Sequence, residues 1–224
     1  MTNTLHRYGD SKNLHNDFIV FAIPCRGYND KDCVPKLRKF LELASKHNPV
    51  NLGDASKGGI FRPSKKLNPL AHWFRTNIPL INEVVEKVSN PTTAAAVFDN
   101  KDAVEKFVEE LRQADLGLSI NVSALVDRAQ ECCRDIGVNR HSVEYSLGFM
   151  GKTDRLAERR VLELSTMCGH GMISFNFARK MIDWVKEGRR TPEQACGYLS
   201  RFCSCGIFNP TRAKEILEET RMGR

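Results

Sequence analysis

Every residue from Phe18 to Ile23 is apolar, a run of strand length halted by Pro24, which predicts a buried strand. The next apolar positions, Val34, Leu37, Phe40, Leu41 and Ala44, recur at helical spacing and predict a helix over 34–47, with Pro35 tolerated in its first turn. From 48 to 77 the period is lost and Gly, Pro, Asn and Ser accumulate, so a long loop is expected, with Gly53 to Gly59 as a hinge and His72-Trp73-Phe74-Arg75 as a packing anchor. A short helix over 78–88, carrying Ile81, Val84, Val85 and Val88, leads into a regular alternation. Strand 94–98 is followed by helix 101–113, capped by Asp99, then by strand 117–122, helix 123–136 and strand 142–148. This order predicts the α/β class, with a βαβαβ-type sheet layer in a body spanning 1–150.

Beyond 151 the pattern turns helical, over 156–164, 174–187, 191–203 and 211–222, and predicts a cysteine-bearing helical portion over 151–224. The third of these helices has two start signals, Thr191 with Gln194 three residues on and Pro192 at the first helical position. Met1 to Asn16 has no period and is expected to lie as an arm.

A chain of 224 residues can bury a core without disulfides, so stability does not explain its eight cysteines. No basic start followed by an apolar run opens the sequence, and no apolar run approaches the ~20 residues of a membrane span; a soluble, cytoplasmic protein with no membrane contact is expected. Thiols stay reduced there, which leaves metal ligation, reactivity or simple burial as their roles. The formal charge of +7 is spread along the chain and interleaved with acids, favouring a small anionic substrate over nucleic acid as partner. Oligomeric state is not legible at this level.

Composition changes the picture most between 166 and 210. Cys168-Gly169-His170-Gly171 precedes one helix, and Cys203-Ser204-Cys205-Gly206 follows another; the helical hairpin between them should return the chain to its starting level and bring the sulfurs together. Cys168, Cys203 and Cys205 are therefore the candidate ligands of a metal centre. The chain contains no C-x-x-C, the usual zinc spacing. Three thiolates without an obvious fourth favour a [4Fe–4S] cluster with one open iron acting as a Lewis acid, in an enzyme of hydro-lyase or sulfur-transfer type. His170 is then the catalytic proton donor or acceptor, and Arg26 and Lys57 hold the anionic substrate.

Three alternatives stand beside this. His170 as fourth ligand makes a Cys₃His zinc site, and with it a zinc-stabilised binding or regulatory module contacting nucleic acid or a protein partner. An electron-transfer iron–sulfur protein would need a fourth cysteine from Cys25, Cys33, Cys132, Cys133 or Cys196. A metal-free, reactive Cys168 at its helix end is the third. Cys132 and Cys133, adjacent on a helix, point ~100° apart and cannot easily serve one ion.

Overall fold

The computed structural model describes residues 6–55, 58–59, 81–203 and 205–223. Strand β1 (Phe18–Ile23) lies inside the sheet, paired antiparallel on both sides. Phe18, Val20 and Ala22 point to one face and Ile19 and Phe21 to the other, all buried; a strand covered on both faces reads as an unbroken apolar run. Its neighbours are β4 (Ala94–Phe98) and β5 (Ser119–Ser123), and β4 pairs outward with β2 (Asn51–Asp54) and β2 with the two-residue β3 (Gly58–Gly59).

The mixed helix-and-sheet class expected from the pattern is what the fold shows, but its layering is more interleaved than a simple βαβαβ unit. Helix α1 (Cys33–Ser45) connects β1 to β2, which run parallel with β4 between them. After the short α2 (Ile81–Glu86), helix α3 (Lys101–Ala114) connects β4 to β5, again parallel, with β1 between. The result is two interleaved split β-α-β units. Strand β2 falls inside the stretch expected to be loop. Its sequence, Asn-Leu-Gly-Asp, has one apolar side chain, so the periodicity is silent; pairing with β4 and a hydrogen bond from Asn51 Nδ2 to Phe208 O (2.9 Å) hold it instead.

Two cores result, one on each face of the sheet. On the first, Leu37, Phe40, Leu41 and Phe107 pack over Phe18, Val20, Ala96 and Phe98, with Phe40 and Phe107 edge to face at 5.2 Å. Helix α4 (Val126–Asp135) adds Cys132 to this side. On the second, α5 (Arg159–Ser165), α6 (Phe175–Lys186), α7 (Pro192–Ser200) and α8 (Pro210–Arg221) cover Ile19, Phe21, Ala95 and Val97. The cysteine-bearing helices are thus the third layer of one α/β/α stack.

Some local expectations need correction. Residues 142–148 form no strand: Val143, Tyr145 and Leu147 alternate with polar residues yet stand exposed, because alternation supplies a face and a strand also needs a backbone partner. The cap of α3 is Asn100, accepting from the N–H groups of Asp102 and Ala103, whereas Asp99 accepts from Thr211 Oγ1 at 2.8 Å. The described part of the N-terminal arm is tied to the C-terminal layer by buried charge. Arg212 donates to Asp17 (3.1 Å) and to Tyr8 O (2.6 Å), Arg7 pairs with Asp17, and Asn13 donates to Glu163 (2.7 Å). Asp17, Glu163 and Arg212 are 1, 0 and 2% exposed, so each is held by partners rather than by water. Among the described residues no helix is long and apolar enough to cross a membrane.

Candidate metal centre

Two turns carry the sulfur atoms. The first follows α5, where Gly169 N–H bonds to Thr166 O (2.8 Å) and Gly169 and Gly171 take φ of 74° and 63°. That left-handed backbone is open to glycine, and it turns the chain sharply on both sides of His170. The second follows α7: the N–H groups of Phe202 and Cys203 bond to Leu199 O and Ser200 O, Gly206 reverses the chain at φ 73°, and Asn209 caps α8. Between the turns, α6 and α7 form a hairpin; Ser174 caps the first helix, and a capping box of Thr191 and Gln194 with Pro192 starts the second. Cap and turn chemistry, all local in sequence, thereby fix where two distant pairs of ligands meet.

They meet closely. The ligand atoms of Cys168, His170 and Cys205 all lie within 4.8 Å of one another, forming a group that can hold a metal ion. Cys205 Sγ is 3.3 Å from His170 Nδ1, and Cys203 Sγ is 3.5 Å from Cys205 Sγ. The three thiols are 0, 1 and 4% exposed at Cys168, Cys203 and Cys205, while the imidazole is exposed.

The electrostatics of the cluster favour a cation at its centre. Cys203 is held well below the ordinary thiol range by hydrogen bonds from the Cys168 and Cys205 thiols, reinforced by the backbone N–H groups of Cys205 and Ile207. Cys168 is pushed up to about 12, first by donating to the Cys203 sulfur; Cys205 is raised as well, first by its hydrogen bond with Cys168. The thiolate form is thus favoured at Cys203 and the thiol form at Cys168 and Cys205, and backbone N–H groups aim at two of the sulfurs, Cys168 receiving that of His170. Soft sulfur donors with a neutral imidazole form a donor set suited to zinc or iron.

The other candidate residues sit elsewhere. Cys33 and Cys132 belong to the core on the opposite face of the sheet. Burial pushes Cys132 up to about 11 and Cys196, whose Sγ donates to Pro210 O at 3.4 Å, up to about 12. Cys25 and Arg26 are exposed in the turn after β1, outside the sulfur cluster. Lys57 and the anchor at 72–75 lie outside the described residues. What periodicity had no means of finding is the support behind the site: Arg212 donates to Met167 Sδ (3.8 Å), next to Cys168, and Thr166 Oγ1 accepts from Tyr8 N–H (2.9 Å).

No protein-family model, curated protein or solved structure matches the chain.

Proposed function

We propose that the chain is a zinc-stabilised binding module, in which one Zn²⁺ held by Cys168, His170, Cys203 and Cys205 ties two turns of the helical layer together. The observation that carries this reading is the spacing of the ligand atoms, 3.3 Å from sulfur to nitrogen and 3.5 Å from sulfur to sulfur. A tetrahedral ion with Zn–S of about 2.3 Å and Zn–N of about 2.0 Å keeps its ligand atoms roughly 3.5 to 3.8 Å apart. In a cubane cluster each cysteine binds a different iron, which spreads the sulfurs well beyond the reach of one ion. Cys203, whose Sγ lies 3.5 Å from that of Cys205, would add a fourth ligand to the Cys168, His170 and Cys205 group and close the coordination sphere, the mark of a structural ion rather than a catalytic one. The ion would join the turn after α5 to the turn after α7, segments 33 residues or more apart in sequence, where the thiols and the imidazole already hydrogen-bond to one another.

Metal analysis of protein purified without oxygen tests the reading. One zinc per chain is expected, with no iron and no acid-labile sulfide, and Co²⁺ replacement should produce the visible bands of a tetrahedral thiolate site. Brown protein with iron and sulfide in equal amounts would overturn it in favour of the three-cysteine [4Fe–4S] centre and the lyase or sulfur-transfer chemistry that such a centre supports.

A further inference from the structure

The open edge of the sheet and the unpaired segment after α4 are linked through the N-terminal arm. Strand β5 ends the strand order, so among the described residues no strand pairs with its outer side. Arg7 donates to Ser123 O at 3.0 Å and to Ser123 Oγ at 3.3 Å, so that carbonyl faces outward; at a spacing of two, Ser119 and Asn121 turn their backbone groups the same way. The residues on either side of Arg7 hold the segment instead. His6 Nδ1 lies 3.2 Å from Ser146 Oγ, and the Tyr8 and Phe149 rings are 5.6 Å apart. Successive arm residues thus meet the segment, the strand and the segment again, which puts the arm between the two.

Strand and segment each lack what the other supplies. Val143, Tyr145 and Leu147 alternate with Ser142, Glu144, Ser146 and Gly148, and Tyr145 and Leu147 are 62 and 80% exposed. Of nine large hydrophobic side chains left exposed among the described residues, five fall between 143 and 150, a concentration that marks an interaction surface. Among the described residues no backbone hydrogen bond joins 140–150 to another segment. On β5, Ile120 and Val122 are only partly buried at the margin of the first core, and Ser119, Asn121 and Ser123 alternate onto the other face. A strand carrying Val143, Tyr145 and Leu147 on the core side closes that margin and sets Glu144 and Ser146 beside the polar face, so the two alternations match. Neither Pro nor Lys, the residues that keep an edge unpaired, occurs in β5.

We infer that the chain forms a two-fold dimer in which segment 142–148 of each copy adds as a further strand to β5 of the other. The donor is a second copy because the arm holds each segment away from its own edge. Edge and segment share one stretch of surface, through the arm that touches both, so a single two-fold axis serves both exchanges. Reciprocal pairing uses both edges and leaves no open end on which further copies add. Backbone hydrogen bonds supply the affinity and the alternating side chains the register. The inference stands whichever ion the thiols carry, because none of these residues belongs to the sulfur cluster.

Sedimentation velocity on the full-length, metal-loaded chain from about 1 to 200 µM, a span suited to a micromolar dissociation constant, tests it. A monomer should give way to a species of twice its mass and nothing larger. Replacing Val143, Tyr145 and Leu147 together with Ser should weaken dimerisation by roughly a hundredfold, from the apolar burial lost. Metal content and the melting temperature of the dilute monomer should equal the parent's, because these side chains are exposed in the single copy. Replacing Tyr28 and Met222, exposed elsewhere, with Ser should leave dimerisation within about twofold. Photoreactive benzoylphenylalanine at position 145, in a mixture of isotope-labelled and unlabelled copies, should cross-link one copy to residues 119–123 of the other. A monomer at every concentration, assemblies that grow beyond two copies, or a dimer that survives the triple replacement would overturn the inference. So would cross-links confined to one copy, or joining position 145 only to position 145.

Discussion

Removing the proposed ion should loosen the helical layer, with a size set by the linkage of binding to folding and a pH dependence set by the thiol protons. Chelation would leave three sulfurs clustered without a central cation, and Cys203→Ser two, in a site that is at most 4% exposed at its thiols. An ion present at 100 to 1,000 times its dissociation constant stabilises the folded state by about 2.7 to 4.1 kcal/mol. In a chain of 224 residues each kcal/mol moves the melting temperature by about 2 to 4 °C, so a fall of roughly 5 to 16 °C is expected. Hydrogen bonds from its neighbours hold Cys203 below the ordinary thiol range, whereas Cys168 and Cys205 are raised and keep their protons more firmly. Binding a divalent ion must then expel those two protons, and affinity should climb about a hundredfold per pH unit between pH 7 and 8.5, since each released proton contributes one decade. The sign follows from the raised groups: their protons oppose the metal more strongly as pH falls. Calorimetric melts with and without chelator, and competition titrations against a chromogenic chelator across that range, measure both quantities. A melting point that moves by less than 1 °C once the ion has demonstrably left, or an affinity independent of pH, would refute the reasoning.

Asp17→Asn should destabilise the chain by about 3 to 5 kcal/mol in urea melts, because it strips charge compensation from Arg7 and Arg212 inside the fold. Replacing Asp17, Arg7 and Arg212 together with apolar residues of similar volume should recover most of that loss. Gly206→Ala, at φ 73°, should cost about 1 to 2 kcal/mol in thermal stability and weaken metal binding, since the same turn aims two N–H groups at Cys203. Alkylation of the metal-loaded protein at pH 8, read by peptide mass mapping, should label Cys25 readily and leave Cys132 and Cys196 unmodified. Phe107→Ala should cost about 3 to 5 kcal/mol, as its ring packs against both Phe40 and Phe98.

Elements that declare themselves by short-range pattern were legible in the chain. The unbroken Phe18–Ile23 run, the stripe of α3 and the Thr191-Pro192 start of α7 each encode their structure within a few residues. So does the pairing of cysteines with glycines at 168–171 and 203–206, because a thiol turn needs backbone freedom beside its sulfur. Pattern misled where one requirement was present without the other. Residues 142–148 alternate like a strand but pair with no strand among the described residues, and Asn51–Asp54 lacks alternation but has β4 beside it. Pairing is a relation between segments far apart in sequence, and alternation reports a single segment only.

The distances on which the single-ion proposal rests lay beyond any reading of spacing, since C-x-H and C-x-C suit either centre; the 3.5 Å between two sulfurs comes from the folded chain alone. The same holds for Arg212, unremarkable on a charged helix until its guanidinium is found buried against Asp17 and Met167, and for Arg190, whose reach over two rings depends on how two helices pack. Backbone propensity and amphipathic period act over a handful of residues and survive in the sequence. Distances between side chains brought together by packing do not, because they are properties of the folded arrangement as a whole.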